Sequence, residues 1–309
     1  MSIVLFGLEG PFSRVVLSAL AATELRPSLV VVGSSSRVPA VRRVGDRPGF
    51  LSRMIGIKAL DSALGEQARS AGIAAIEVTD PGDPRARQLI ANAAPEVLVV
   101  AGFHRLLSRD VLALAPRGGL NLHPGRLPEE RGPAPLFWAL KEGRTRHTFS
   151  IHVLDEGEDT GDVVSTGGYD VPPGHDGQEI LERCARAALP QLMRAIRDLR
   201  RGELVRIKQD QSRAARRGRP KLEDGRIDVR RTAEEVFTFV AGCAKHYVVF
   251  AECAGDRFFV RGAESYDLSA SLPYDFVLAG DRLILRTSPG VVELVLAPDG
   301  AMFAADYVA

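Results

Sequence analysis

Short apolar, β-branched runs that alternate with helix-spaced segments constrain this chain more than any other feature. Ser2–Phe6, Leu29–Val32, Ile73–Val78 and Glu96–Val100 read as strands, and Gly119–Leu122 leads into a fifth. Between them, Phe12–Ala22, about Leu60–Ser70 and Pro84–Asn92 show helical spacing. A run such as Val97–Val100, apolar at every position, suits a strand covered on both faces. Strand–helix alternation of this kind predicts an α/β fold, a Rossmann-like doubly wound and mostly parallel sheet. Ligands of such sheets sit beyond the carboxyl ends of the strands, which directs attention to the residues after Phe6, Val100 and Leu122.

Residues 35–57 hold Arg37, Arg42, Arg43, Arg47 and Arg53 among breakers, and read as a long loop. Thr148–Leu154 and Val163–Tyr169 alternate as later strands, and Gly177–Leu199 reads as a long helix. Composition then shifts. Arg200, Arg201, Arg206, Lys208, Arg213, Arg216, Arg217, Arg219 and Lys221 crowd a segment poor in acids, which reads as a linker. Beyond it come a helix over Thr232–Cys243 and short strands at Val248–Cys253, Arg257–Arg261, Arg282–Leu285 and Val291–Leu296. The expected organisation is a catalytic domain over 1–203, a basic linker over 204–222 and a smaller β-rich, OB-like C-terminal domain over 223–309.

Lys plus Arg totals 40 and Asp plus Glu 39, so global charge argues for neither nucleic acid nor membrane. Cys184, Cys243 and Cys253 form no C-x-x-C pair, so no disulfide framework or zinc site is expected and a cytoplasmic location fits. The start, MSIVLFGLEGPF, lacks a basic n-region and reads as a strand, not a leader. No apolar run has the length of a membrane span. GLEGPF is not G-x-G-x-x-G, and no P-loop or G-x-S-x-G motif occurs, so motifs give a dinucleotide, a nucleoside triphosphate or a serine hydrolase no support.

Chemistry concentrates in two segments. In NLHPGRLPEERGPAPLFWAL, 121–140, Asn121 and His123 stand two apart at a strand end, so both point to one side of the sheet. An amide donor beside an imidazole suits a developing oxyanion and a proton transfer near neutral pH. Alone, the pair also fits a capped turn with a satisfied histidine. The second segment, DEGEDTGD, 155–162, carries Asp155, Glu156, Glu158, Asp159 and Asp162 in one turn. Alone it fits a solvated loop; its spacing fails the EF-hand pattern. One carboxylate near His123 would orient the ring and stabilise its charged form. Arg131 could hold an anion or cap its loop. His152 reads as an ordinary strand residue, and Trp138 as core.

N-x-H-P-G-x-L-P-x-x-R-G-x-x-P followed by D-E-G-x-D-T-G-D resembles the folate-dependent formyltransferase family, which includes methionyl-tRNA formyltransferases, glycinamide ribonucleotide transformylases and amino-sugar N-formyltransferases. The resemblance covers roughly 1–205, is densest over 97–164, and continues weakly into RPKLEDGRIDVRRTAEEVFTFVAG, 219–242, which is similar to the start of the C-terminal domain of the methionyl-tRNA subgroup. It implies an enzyme that transfers a formyl group from 10-formyltetrahydrofolate to an amine without a metal, with Asn121, His123 and Asp159 catalytic. It implies further that AGFHRLLS, 101–108, and the acidic turn hold the folate largely by backbone groups, through Gly102, Phe103, His104, Arg105, Leu106 and Leu107, and through Asp155, Glu156, Gly157 and Glu158. The first turn, GLEGPFS, departs from the Thr-Pro-x-Phe type of the tRNA enzymes, Gly125 replaces the family's Ser, Arg126 replaces a Leu, and the phosphate turn of the transformylases is absent. The expected acceptor is therefore a small molecule, an amino sugar or an amino acid derivative. Initiator methionyl-tRNA is the alternative, supported by the basic segments. A non-catalytic folate- or nucleotide-binding protein and a hydrolase releasing formate are alternatives of other kinds.

Overall fold

The computed structural model describes residues 2–34, 41–43 and 62–298. The amino-terminal alternation becomes β1 (Ile3–Gly7), α1 (Pro11–Ala21), β2 (Leu29–Gly33), β3 (Val41–Arg43), α2 (Ala63–Ser70), β4 (Ala74–Val78), α3 (Pro84–Asn92), β5 (Val97–Ala101), α4 (Arg109–Leu112) and β6 (Gly119–His123). Then follow α5 (Pro135–Lys141), β7 (Arg146–Val153), β8 (Val163–Asp170) and α6 (Gly177–Arg201). These strands form one eight-stranded sheet in the order β3-β4-β2-β1-β5-β6-β7-β8. β4, β2, β1, β5 and β6 run parallel, whereas β3 and β7 are antiparallel to β4 and β6. This is the Rossmann-like α/β sheet that the alternation predicts.

The sheet grows from β1 towards β2 on one side and towards β5 on the other. In sheets of this kind ligands sit at the carboxyl ends of the strands where the order reverses, here β1 and β5. The core beneath is apolar. Val4, Phe6, Val31, Ile76, Leu98 and Val100 belong to one buried cluster with Ile90 of α3 and Val111 of α4. Ser13 of α1, 2% exposed, closes the top by accepting from the Leu8 N–H and donating to the Ala101 carbonyl at 2.6 Å. A hydroxyl in the GLEGPFS turn thus ties β1 to β5.

The chain gathers into two compact units, each discontinuous in sequence. The first takes described residues within 1–131, 148–167 and 182–216; the second takes those within 132–147, 168–181 and 217–309. The second unit contains α7 (Ala233–Cys243), whose Thr232 and Glu235 close a capping box, and a five-stranded antiparallel sheet. Its strands are β9 (Val249–Cys253), β10 (Asp256–Asp267), β11 (Phe276–Ala279), β12 (Arg282–Arg286) and β13 (Val291–Leu296), in the order β11-β12-β13-β10-β9. β10 runs on to Asp267, well past the expected Arg261, because register shifts at Val260/Gly262 and Ala263/Ser265 let so long a strand bend along β13.

Three further differences from the sequence reading have local causes. β3 lies inside the stretch expected as loop, while the rest of 35–57 falls outside the described residues. α2 begins at Ala63, because Ser62 caps it by accepting from the Gly65 N–H; Leu60 and Asp61, in the expected helix, fall outside the described residues. Trp138 is only half-buried: its indole donates to the Gly218 carbonyl and Arg217 stacks on its face, while neighbouring Phe137 fills the core against Phe239 and Tyr247.

Candidate active site

β6 places Asn121 opposite Val100 of β5 on one side and opposite His152 of β7 on the other; His123 pairs with Ser150. Ser150 is fully buried and fixes the strand end, donating to the Gly125 carbonyl at 2.8 Å and accepting from the Leu127 N–H at 3.0 Å. The chain then folds over His123, whose Nε2 lies 2.7 Å from the Glu130 carbonyl. A carbonyl only accepts, so Nε2 carries the proton. Nδ1 therefore faces the site, 3.5 Å from Asp159 Oδ1. The ring is 4% exposed, and burial holds its pKa below the ordinary 6.5 against the opposing pull of Asp159. At neutral pH, then, Nδ1 bears a lone pair.

Asp159 reaches this point from the acidic turn. Asp155 braces that turn from within: its carboxylate accepts from Thr160 Oγ1 at 2.8 Å and from the Gly157 N–H at 3.2 Å. Gly161 follows where a Cβ would stand 1.9 Å from the Val153 carbonyl, so no other residue fits. Asp159 takes a left-handed conformation, φ 55°, which for a non-glycine residue costs on the order of 1–3 kcal/mol unless its surroundings hold it. Its side chain is 10% exposed; Oδ1 accepts from Asn121 Nδ2 at 3.3 Å and stands 3.5 Å from His123 Nδ1 and 3.4 Å from His152 Nε2.

His152, which the sequence pattern does not distinguish from an ordinary strand position, lies opposite Asn121. It is 2% exposed, its Nδ1 lies 2.9 Å from the Val153 carbonyl, and its Nε2 lies 3.0 Å from Asn121 Nδ2. Nδ1 donates to that carbonyl, and in the neutral ring this leaves Nε2 to accept one Asn121 hydrogen. That bond sets the Asn121 amide with its nitrogen inward. The other Asn121 hydrogen points to Asp159 over the longer, weaker contact.

The basic segment supplies a second unforeseen contributor. Ile207 exchanges both backbone hydrogen bonds with Val163 at 2.8 Å, and Ala215 bonds Pro128 and Arg131 backbone groups. Arg206 faces Asp162 at 3.9 Å; Arg213 pairs with Glu129 and Arg216 with Glu158. Gln209, 8% exposed, donates to the carbonyls of Asp159 and Gly161, and its own oxygen is held by Arg131. Arg131, left open between anion binding and loop capping, is thus a loop brace here.

Gly102–Leu107 lies just past the carboxyl end of β5, beside the end of β6. Gly102 has φ +74°, and a Cβ there would press on the Phe12 ring at 3.2 Å. Phe103 stacks edge-on against Phe6, the His104 ring lies so close over Gly33 that a Cβ there would meet it at 2.5 Å, Leu107 is buried, and Arg105 and Leu106 are exposed. Arg109, at the start of α4, approaches Glu156 at 3.7 Å. The structure therefore joins Asn121, His123 and Asp159 within hydrogen-bonding reach; of the acidic turn, Asp155 and Glu158 turn to protein partners. Among the described residues no group of three or more His, Cys, Asp or Glu side chains is arranged to hold a metal, and no helix is long and apolar enough to cross a membrane.

Comparison with known proteins points one way. Residues 76–196 match the family model described as formyl transferase. A methionyl-tRNA formyltransferase of Sorangium cellulosum is 30% identical over 280 residues, covering 88% of this chain and 87% of that one. One of Anaeromyxobacter dehalogenans is 35% identical over 169 residues, and there the chain spans about half, 54%, of the relative's length. The crystal structure of an N-formyltransferase from Helicobacter canadensis, in complex with folinic acid and dTDP-3-aminofucose, superposes with a TM-score of 0.63 at 13% identity, covering 96% of this chain and 99% of that one.

Proposed function

This chain belongs to the formyl transferase family, and from that membership we propose that it transfers a formyl group from 10-formyltetrahydrofolate to the primary amine of a small molecule, an amino sugar or an amino acid derivative. One observation carries the chemistry: an amide donor, an imidazole nitrogen and a carboxylate converge within 3.5 Å at the carboxyl end of β6. The amine nitrogen attacks the formyl carbon, and the carbonyl oxygen becomes an oxyanion. Asn121 Nδ2 meets it by exchanging its long contact to Asp159. His123 Nδ1 takes the amine proton, and the Asp159 carboxylate stabilises the resulting imidazolium. The same proton passes to N10 as the C–N10 bond breaks, leaving N-formylamine and tetrahydrofolate. The donor rests on backbone groups of 102–107 and 155–158, a reading supported by the loop's place past β5 and by the left-handed Gly102.

The acceptor reading is supported by the basic segment, whose Arg206, Arg213 and Arg216 face acids of their own unit and offer little unopposed charge to a polyanion. A second reading, initiator methionyl-tRNA as acceptor, is favoured by the near full-length similarity to the Sorangium cellulosum protein. The deciding assay follows tetrahydrofolate formation from 10-formyltetrahydrofolate with charged initiator tRNA in one pool and amino sugars, nucleotide-linked amino sugars and hydroxylated ornithine-type amines in the other. Turnover with a small amine is the expected result. Turnover with tRNA alone would replace the acceptor and keep the chemistry. Formate released without amine would mean a hydrolase, and donor binding with no turnover would mean a binding protein. Asn121→Ala should cost about 10²–10³ in kcat, the usual effect of losing one oxyanion donor.

A further inference from the structure

Asp159 holds a backbone conformation that L-residues rarely adopt, in a turn where Asp155 binds Thr160 and the Gly157 N–H while Glu156, Glu158 and Asp162 meet surface arginines. Exposed ion pairs of the Arg206–Asp162 and Arg216–Glu158 kind are weak tethers, too weak to define a side-chain position. Gln209 is different in kind. Its Nε2 donates one hydrogen to the Asp159 carbonyl at 2.8 Å and the other to the Gly161 carbonyl at 2.7 Å, bracketing the left-handed turn. Its Oε1 accepts from Arg131 Nε at 3.0 Å and Nη2 at 2.7 Å. The amide cannot be reversed, because its oxygen would then face two carbonyls and its nitrogen two guanidinium donors. The side chain is buried, so water does not replace these bonds when they are lost. Residues on either side are stitched down, Ile207 to Val163 and Ala215 to Pro128, so the clamp is fixed at both ends.

We propose that Gln209 is a positioning residue for the transfer reaction: oriented by Arg131, it locks the Asp159–Gly161 turn and thereby holds the Asp159 carboxylate against His123 Nδ1 and Asn121. Gln209 touches no reacting atom. Its effect passes through one carboxylate whose place must be right to within a fraction of an ångström, and a displacement of about 1 Å at such a group costs on the order of 10²-fold in rate. The kinetic consequence rests on the formyl-transfer reading; the structural one does not.

Two variants separate donation from packing. Gln209→Met keeps length and removes both donors. Gln209→Glu keeps a partner for Arg131, and improves it electrostatically, while placing carboxylate oxygen against two carbonyls. Both should lower kcat about 10- to 100-fold with KM for the acceptor little changed. A second readout is the 15N-detected titration of the His123 ring. The groups facing it are Asp159, His152 and Glu130, and of these Asp159 raises its midpoint most. Gln209→Met should therefore move that midpoint down, in the direction of Asp159→Asn, and should move it no further in an Asp159→Asn background. An unmoved midpoint in Gln209→Met overturns the proposal, whatever happens to the rate, because a general loosening of the fold would slow turnover without acting on Asp159. Turnover of both variants within twofold of wild type overturns it as well. Should Gln209→Met not fold, the Gln209→Glu rate decides alone. If the wild-type protein transfers no formyl group to any acceptor, the functional reading falls while the titration still decides the role of Gln209.

Discussion

His123 has one nitrogen left for chemistry, and its environment decides how that nitrogen is used. Nε2 is committed to the Glu130 carbonyl, so in the proposed transfer acid–base work falls to Nδ1, whose hold on a proton burial weakens. The dependence on pH follows with a definite sign. kcat/KM should climb as pH rises through a midpoint below 6.5 and be level above it, as a proton-accepting Nδ1 requires; a bell with its acid limb above 6.5 would exclude that role. Asp159→Asn removes the charge that opposes desolvation, so the acid limb of its residual activity should lie lower still. Stability follows the same ring. An unfolded histidine takes its proton at about 6.5, the folded one only lower, so this contribution is complete above 6.5 and declines as pH falls beneath it. The side-by-side placement of Asn121 and His123 is legible in the sequence, because one strand end carries both. The choice of Asp159 among five acids came from family resemblance, since a crowded acidic turn has no internal mark of which carboxylate turns inward. His152 was not legible: a histidine on an alternating strand looks the same beside solvent, in a core or against Asn121.

At the level of elements, the turn between β7 and β8 is the mechanical part of the site. Gly161 lets the chain pass under the Val153 carbonyl, and an added Cβ would be 1.9 Å from that oxygen. Gly161→Ala should shift the turn and with it Asp159. A loss of about 10²-fold in kcat is expected. Turnover near wild type would show that the turn adapts. Most elements were readable from period alone: α3 occupies Pro84–Asn92 and β13 Val291–Leu296, as the pattern predicts. Those missed were short or compositionally quiet. α4 has four residues, barely one turn, and β11 has four residues on the edge of its sheet. The extension of β10 hid behind Gly262 and Glu264, which depress strand propensity while the pairing with β13 supports it.

For the whole molecule, the chain carries 40 basic against 39 acidic residues, and Arg206, Arg213 and Arg216 of the basic segment each meet an acid of their own unit. With a small-molecule acceptor, kcat/KM should therefore change less than about threefold between 50 and 200 mM salt; a fall of about 10³-fold or more would be the signature of several phosphate contacts and would turn the reading to tRNA. The composition of this segment was plain in the sequence, but its partners were not: Gln209 lies 50 residues from Asp159 and 78 from Arg131, beyond any local pattern. That separation has a consequence for how such a protein can be recombined. The stretch 76–196 that matches the family model carries Asn121, His123, His152 and Asp159 together, yet it leaves Gln209 outside. An exchange of carboxyl-terminal parts between relatives with its junction at the end of the long helix would keep the proposed reacting groups and substitute a foreign residue for Gln209. Junctions after Arg216 should yield working hybrids where junctions near residue 203 yield folded but slow ones.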